Sequence, residues 1–357
     1  MTTLSKIFSG VAAKRLSAVE TNPRVSNQHE FQGIRDMVEI FGKERKTIPC
    51  TYLYLGDDEQ TSAASEGSIT WYDSRENQPN RSPEYRYYYQ GNAVTELANE
   101  GDLLIIAQKK DLTVLALVVK QGSNIEQQVL WLFGVEDTEG RFKVSSIEGD
   151  HDRQINFAER FILDALGVEV EIEDKNDWLD MIHRKFGNKF PTTKEFSAFA
   201  RAIDNNISSI EDPDIALIEW LNQEELLFKT LERHLVEDKI LKGFTSVDEF
   251  IGFSLTIQNR RKSRMGHALE NHLAQIFADN KISFSKGKRT ENKNKPDFIF
   301  PSIVSYHDLS FPSNKLFMLG SKSSCKDRWR QVLTEANRIS NKHLLTLEPS
   351  ISKNQTD

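Results

Sequence analysis

The sequence predicts a chain of two domains, mainly β in the first and α/β in the second. Three observations carry this. At 357 residues the chain is about two domains long, taking roughly 150 residues for each. Up to about residue 170, short β-branched and aromatic runs alternate with Gly, Asn, Asp and Ser, the pattern of a barrel or sandwich. Later, apolar residues recur every three or four positions, and short strands return near the end.

In the first half, strands are expected at Ile48–Leu55, Ser68–Tyr72, Tyr85–Tyr89, Leu103–Gln108, Val114–Lys120 and Val129–Gly134. Phe157–Leu166 reads as a helix with Phe157, Phe161, Ile162 and Leu166 on one side. Glu169–Asp180 holds six acids and one Lys and marks a linker. The expected division is residues 1–170, an acidic linker at 171–190, and 191–357.

The second half opens with helices. Thr193 caps one through Ala202, and Pro213 starts one that runs Ile215–Glu237. Ser246–Asn259 and Arg264–Asn280 read as two more, the latter carrying Met265, Leu269, Leu273, Ile276 and Phe277 on its packed side. Strands are expected at Asp297–Pro301, Leu316–Ser321 and Leu344–Leu347, with a helix at Asp327–Ser340.

Composition excludes several classes. Apolar residues are 38% and charged residues 28%, a globular balance. No apolar run approaches the ~20 residues of a membrane span, and the N-terminus lacks the apolar core of a secretory signal. Cys50 and Cys325 stand far apart, so no disulfide framework or paired zinc spacing is present, and a cytoplasmic location fits. The net charge of −7 argues against a generic polyanion binder. Yet Arg260–Lys295 holds ten Lys/Arg against three acids, a local +7. Such a block suits a phosphate-facing surface if its charges converge. Its plainer reading is a solvated helix face and loop.

Asp297 opens one strand in KPDFIFP, and Lys322 closes another in FMLGSK. A carboxylate and a lysine at adjacent strand ends are the minimum for metal-assisted phosphodiester hydrolysis. The acid would hold Mg2+, which prefers oxygen ligands, and the lysine would offset charge on the phosphate. A second acid often lies two residues before such a lysine, but here that position is Gly320. Glu335, thirteen residues after Lys322, and Glu270, on the earlier helix, are the candidates to replace it. Each residue also has a plain reading. Pro-Asp makes turns, Lys322 could be an ordinary strand-end lysine, and Glu335 could pair with Arg338 or Gln331 on a helix surface. Trp329 reads as a core anchor and Cys325 as a small buried residue. His234, His267, His272 and His343 show no metal spacing.

The strings NRRKSRMGHALE (259–270), KPDFIFP (295–301), YHD (306–308) and KSSCKDRWRQVLTEA (322–336), followed by HLLTL, resemble the catalytic half of the EcoRII-type (type IIE) restriction endonucleases. GFTSVDEFI (243–251) fits the same pattern. The resemblance implies a PD-(D/E)XK restriction-endonuclease-like fold for the C-terminal domain. It places the metal-binding acids on Asp297 and Glu335, the catalytic lysine on Lys322 and a further acid on Glu270. It assigns base reading to Lys326, Asp327 and Arg328, where guanidinium can face guanine and carboxylate can face cytosine. The plainer reading is that these three cap and charge a helical turn. Lys262 falls where the family contacts DNA near the centre of its site.

The N-terminal half resembles the family's B3-like DNA-binding pseudobarrel through RLSA (15–18), NQHEFQG (27–33), ITWYDSR (69–75) and the run 81–89. Its two arms would present Asn27, Gln28 and His29, then Arg81, Glu84 and Arg86. The plainer reading is a surface loop and an edge strand. Taken whole, the resemblance implies a Mg2+-dependent homodimer cutting double-stranded DNA at a CC…GG-type site. A second copy of the site, bound by the N-terminal domain, would relieve autoinhibition. The acidic linker could compete with DNA for the basic block. Family chains continue past the HLLTL strand, whereas this one stops at Asp357, so it reads as lacking the family's C-terminal end. Two rival functions remain: a non-catalytic DNA-binding regulator, and a nicking or repair endonuclease of the same fold.

Overall fold

The structure is a computed structural model describing residues 3–22, 24, 25, 29–56, 62–78, 80–135, 142–145, 157–168, 176–203, 207–323 and 327–347. The chain divides into two compact units, the first within residues 1–171 and the second within 172–347.

The first unit is built on an eight-stranded sheet. Its strands are β1 (Phe8–Arg15), β2 (Glu30–Gln32), β3 (Lys46–Leu55), β4 (Ala63–Asp73), β5 (Tyr85–Tyr89), β6 (Leu103–Lys109), β7 (Val114–Val119) and β8 (Lys143–Ser145), in the order β2-β5-β4-β3-β7-β6-β1-β8. All neighbours run antiparallel except β3 and β7, which are parallel. Alternation along the central strands feeds two cores. Leu103, Ile105, Leu115, Leu117 and Val119 join one, beneath the helices Asn124–Leu132 and Phe157–Ala165. Leu104, Ile106, Val114, Ala116 and Val118 join the other. A strand buried on both faces reads as a continuous apolar run, as these two do.

The second core is aromatic. Trp71 is fully buried, its ring stacked on Tyr85 at 4.8 Å between centroids and packed on Tyr87 and Phe41. Its indole N–H donates to the Gly42 carbonyl at 2.8 Å, so the one polar atom of the ring is satisfied.

β1 is missing from the sequence expectation. Its FSGVAAKR stretch is too small-residued to read as a strand. Tertiary packing decides it. β1 lies between β6 and β8, and a Cβ on Gly10 would meet Ile40 at 2.6 Å, so the helix Val38–Phe41 lies against its backbone. Val129–Gly134, expected as a strand, lies instead in and just after the helix Asn124–Leu132. Ser123 accepts the Glu126 N–H, starting a helix that a short apolar run alone cannot distinguish from a strand.

The second unit pairs a helical layer with a small sheet. Residues 171–190, expected as a linker, contain the helix Asn176–Phe186. Its Trp178 and Ile182 are buried with Phe196, Phe199, Leu227, Phe228 and Leu231. The acids of this stretch masked an amphipathic helix. The helices Thr193–Ile203 and Pro213–Lys242 follow, the latter capped by Asp212, which accepts the Ile215 N–H at 3.0 Å. The two helices expected at 246–280 are one, Val247–Asp279. Nothing in NRRKSR breaks a helix, and Arg264 from that string is buried. It pairs with Glu224 at 3.5 Å and with Glu225, and its guanidinium lies 4.2 Å from the Phe228 ring centre. His272 is fully buried beside it, with Nε2 2.9 Å from Glu224. Burial pushes the His272 pKa down, and Arg201 donates to its Nδ1 at 3.0 Å, which fits a neutral ring.

The small sheet comprises β9 (Ser285–Lys286), β10 (Phe298–Phe300), β11 (Phe317–Lys322) and β12 (Lys342–Thr346), in the order β12-β11-β10-β9. β11 and β12 are parallel and the other pairs antiparallel. Phe277 of the long helix packs edge-on to Phe298 and Phe284, tying that helix to the sheet. Met318, Val332, Ala336 and Ile339 form a core with Ile299 and Tyr306. The helix expected at Asp327–Ser340 is a 3₁₀ turn over Asp327–Thr334, and Ala336 then takes the left-handed conformation, φ +50°.

Trp71→Ala should lower stability by about 3–5 kcal/mol through lost ring contacts and a residual cavity. Arg264→Met should cost about 3–5 kcal/mol by removing the cation between two buried glutamates. Urea unfolding of each variant checks this, and losses under about 1 kcal/mol would contradict the packing described.

Candidate active site

Asp297 lies one residue before β10, at the point where the chain enters the sheet. Its Oδ2 accepts the Ser321 backbone N–H at 2.7 Å, with the Ser321 hydroxyl at 3.4 Å. The Lys322 ammonium donates to the same oxygen at 3.0 Å. Antiparallel pairing of Phe298 with Leu319 and Ile299 with Met318 sets this meeting, because it brings the start of β10 against the end of β11. Three donors on one oxygen fix the rotamer of the carboxylate.

Glu335 joins this pair electrostatically. Its carboxyl pKa is raised, first by burial and then by the Asp297 charge, against the opposing pull of Lys322 and Lys342. The geometry also explains why no acid stands at position 320. A Cβ on Gly320 would lie 2.6 Å from Val332, so the slot beside Lys322 is filled by the 3₁₀ segment. Three residues later that segment delivers Glu335, whose N–H donates to the Val332 carbonyl at 3.3 Å.

Glu270 takes other neighbours. Its carboxylate pairs with Lys286 of β9 at 3.3 Å and lies 3.9 Å from His267. Lys286 also donates to Asn271 at 2.8 Å. Among the described residues, no group of three or more His, Cys, Asp or Glu is gathered for a metal. Asp297 and Glu335 are therefore two carboxylates, not a closed cage. That donor set fits Mg2+, which is commonly held by one or two carboxylates with water and substrate phosphate completing the shell.

The basic block is partly neutralised within its own unit. Arg264 is spent on Glu224 and Glu225, Arg261 on Glu232 at 2.6 Å, and Lys286 on Glu270, while Arg260 covers the Phe190 ring at 4.0 Å. Lys262 is exposed on the long helix. Lys326 and Cys325 lie outside the described residues, as do the side chains of Asp327, Arg328 and Trp329.

In the first unit, β2 pairs with β5, with Glu30 opposite Tyr88 and Gln32 opposite Arg86. His29 is exposed just before β2, its ring edge-on to Tyr89 at 5.9 Å. Arg81 is exposed before β5. Arg86 is clamped between Glu84 and Glu30, both at 2.7 Å, and Arg75 also pairs with Glu84. Asn27 and Gln28 lie outside the described residues. Sequence reading missed Glu30, Ser321 and Lys342. A backbone amide that grips a carboxylate leaves no mark in a sequence.

The sequence profile of the EcoRII C terminal family matches residues 228–357. The type II restriction enzyme EcoRII of Escherichia coli is 30% identical over 349 residues, spanning 96% of this chain and 83% of that protein. The chain belongs to the EcoRII family. These are type II restriction enzymes, site-specific DNA nucleases, and this EcoRII-family chain is one of them. Solved structures with some likeness include the restriction endonuclease PspGI in a substrate DNA complex, 18% identical with a TM-score of 0.38 over 44% of this chain and 69% of that one. Metal-depleted Ecl18kI with uncleaved, modified DNA is 18% identical, with a TM-score of 0.35 over 52% of this chain and 71% of that one. The UbaLAI B3 domain with cognate DNA is 16% identical, with a TM-score of 0.22 over 39% of this chain and 89% of that one. No helix among the described residues of the EcoRII-family chain is long and apolar enough to cross a membrane.

The raised Glu335 pKa has a consequence for stability. In both folded and unfolded chains the group is protonated at low pH, so it then costs nothing. As pH rises the unfolded chain loses its proton first, and folded-state stability falls until the folded value is passed. In EDTA, Glu335→Gln should therefore melt above the parent at about pH 8, with the gap closing towards about pH 4. Thermal melts across this range check it. An equal gap at both ends would contradict the electrostatic origin.

Proposed function

We propose that this EcoRII-family nuclease uses Asp297, Glu335 and Lys322 for Mg2+-dependent cleavage of both strands of DNA at a CC…GG-type site. The observation that carries this is the meeting of Lys322 with Asp297 at 3.0 Å, together with the Glu335 carboxyl, whose pKa is raised by burial and then by the Asp297 charge. Asp297 and Glu335 would hold the cation, with Glu270 assisting from the long helix. When bound, a divalent cation polarises the scissile phosphate and lowers the pKa of the attacking water. The Ser321 amide keeps Asp297 oriented. Lys322 is placed to orient the incoming water and to offset charge on the phosphate. The water oxygen bonds to phosphorus as the bond to the 3′ oxygen breaks, and that oxygen takes up a proton, leaving a 5′-phosphate.

Base reading falls to Lys326, Asp327 and Arg328, and Lys262 contacts DNA near the centre of the site. In this reading the N-terminal unit binds a second copy of the site through Asn27, Gln28, His29, Arg81, Glu84 and Arg86. Arg86 would then exchange its two carboxylates for DNA, a trade whose strength depends on salt. The enzyme would act as a homodimer, one protomer for each strand.

Supercoiled plasmid carrying CC…GG sites should be linearised in Mg2+ and left intact in Ca2+. Asp297→Ala and Lys322→Ala should each lower the cleavage rate about 1000-fold, the value of a few kcal/mol of transition-state stabilisation. A short duplex bearing the site should stimulate cutting of a single-site plasmid. Full activity in Asp297→Ala would overturn the site. Conversion to open circle alone would favour a nicking enzyme, and binding with no cleavage would favour a regulator.

A further inference from the structure

Glu335 is delivered by a turn, not by a helix, so something outside the segment must hold it. As the chain leaves the 3₁₀ turn at Thr334, its regular hydrogen bonding ends. Ala336 then takes φ +50°, a conformation that disfavours any residue with a Cβ. Side chains from neighbouring elements take over the backbone groups. Asn294 donates to the Thr334 carbonyl at 3.1 Å. The Tyr306 hydroxyl accepts the Arg338 N–H at 3.3 Å.

The centre of the turn depends on Lys342. This residue begins β12, paired beside Met318 of β11. Its half-buried ammonium turns back and donates to the carbonyls of both Glu335 and Ala336, the latter at 2.5 Å. Burial lowers its pKa, opposed by the charges of Glu291 and Glu335. A strand-end lysine with no task would extend into water. This one spends its donors on the two carbonyls that flank the left-handed residue, next to the acid itself.

We propose that Lys342 is the positioning residue for Glu335, clamping the left-handed turn so that the carboxylate stands beside Asp297. The proposal rests on the reading of Glu335 as a metal-binding acid. A lost clamp should act on cation binding before it acts on the fold, because groups that orient metal ligands typically contribute 10–100-fold to metal affinity.

The test is the Mg2+ dependence of plasmid cleavage by the full chain. In Lys342→Met, which keeps the stem and loses the donors, half-maximal cleavage should require about tenfold more Mg2+. DNA binding in Ca2+-free buffer should be unchanged. Lys342→Arg, which keeps a donor fork, should recover most of the loss. A Lys342→Met variant with a lowered melting temperature but the parent's Mg2+ dependence would overturn the proposal and leave a structural lysine. Should that variant fail to fold, Lys342→Leu, which also lacks a donor, carries the same expectation and the same refutation. Glu335→Ala is run alongside. If its rate and Mg2+ dependence match the parent, the reading of Glu335 itself fails, whatever the lysine variants do.

Discussion

One oxygen atom organises the small sheet of the second unit. Asp297 Oδ2 receives a backbone amide, a hydroxyl and an ammonium from consecutive residues of the neighbouring strand. The β10–β11 register must be right for this to happen, since a one-residue slip would send Lys322 to the other face. The Phe277, Phe284 and Phe298 cluster on one side of the sheet and the Met318–Val332 core on the other fix that register. Site and core are thus held by the same strand pairing.

The second acid shows how packing reshapes a motif. With the face beside Lys322 filled by Val332, the carboxyl group comes from the following segment. It arrives half-buried and near a like charge, and both raise its pKa.

Much of this was legible in the sequence, and unevenly. β5 was read to its last residue because YRYYY alternates cleanly between core and surface. Asp297 and Lys322 stood out because each sits at a strand end with chemistry to offer. The rest was hidden for physical reasons. β1 is a strand by virtue of its neighbours, not its residues. Arg264 counted as a surface charge until the fold set it against Glu224 and Glu225, whose acids lie on another helix. The sequence predicts a helix through Glu335, since nothing local announces a left-handed alanine held from β12.

The contact between Gly320 and Val332 also bears on how such a site can change over time. An acid introduced at 320 would clash unless position 332 shrank in the same step. A smaller residue at 332 alone would open a void in the core around Met318 and Ile339, at a cost of about 1 kcal/mol or more. The first change alone forces a shift of the neighbouring chain, and the second alone loosens the core. Positions 320 and 332, twelve apart in the chain, are thus sterically coupled, and a side chain at one sets the space left for the other.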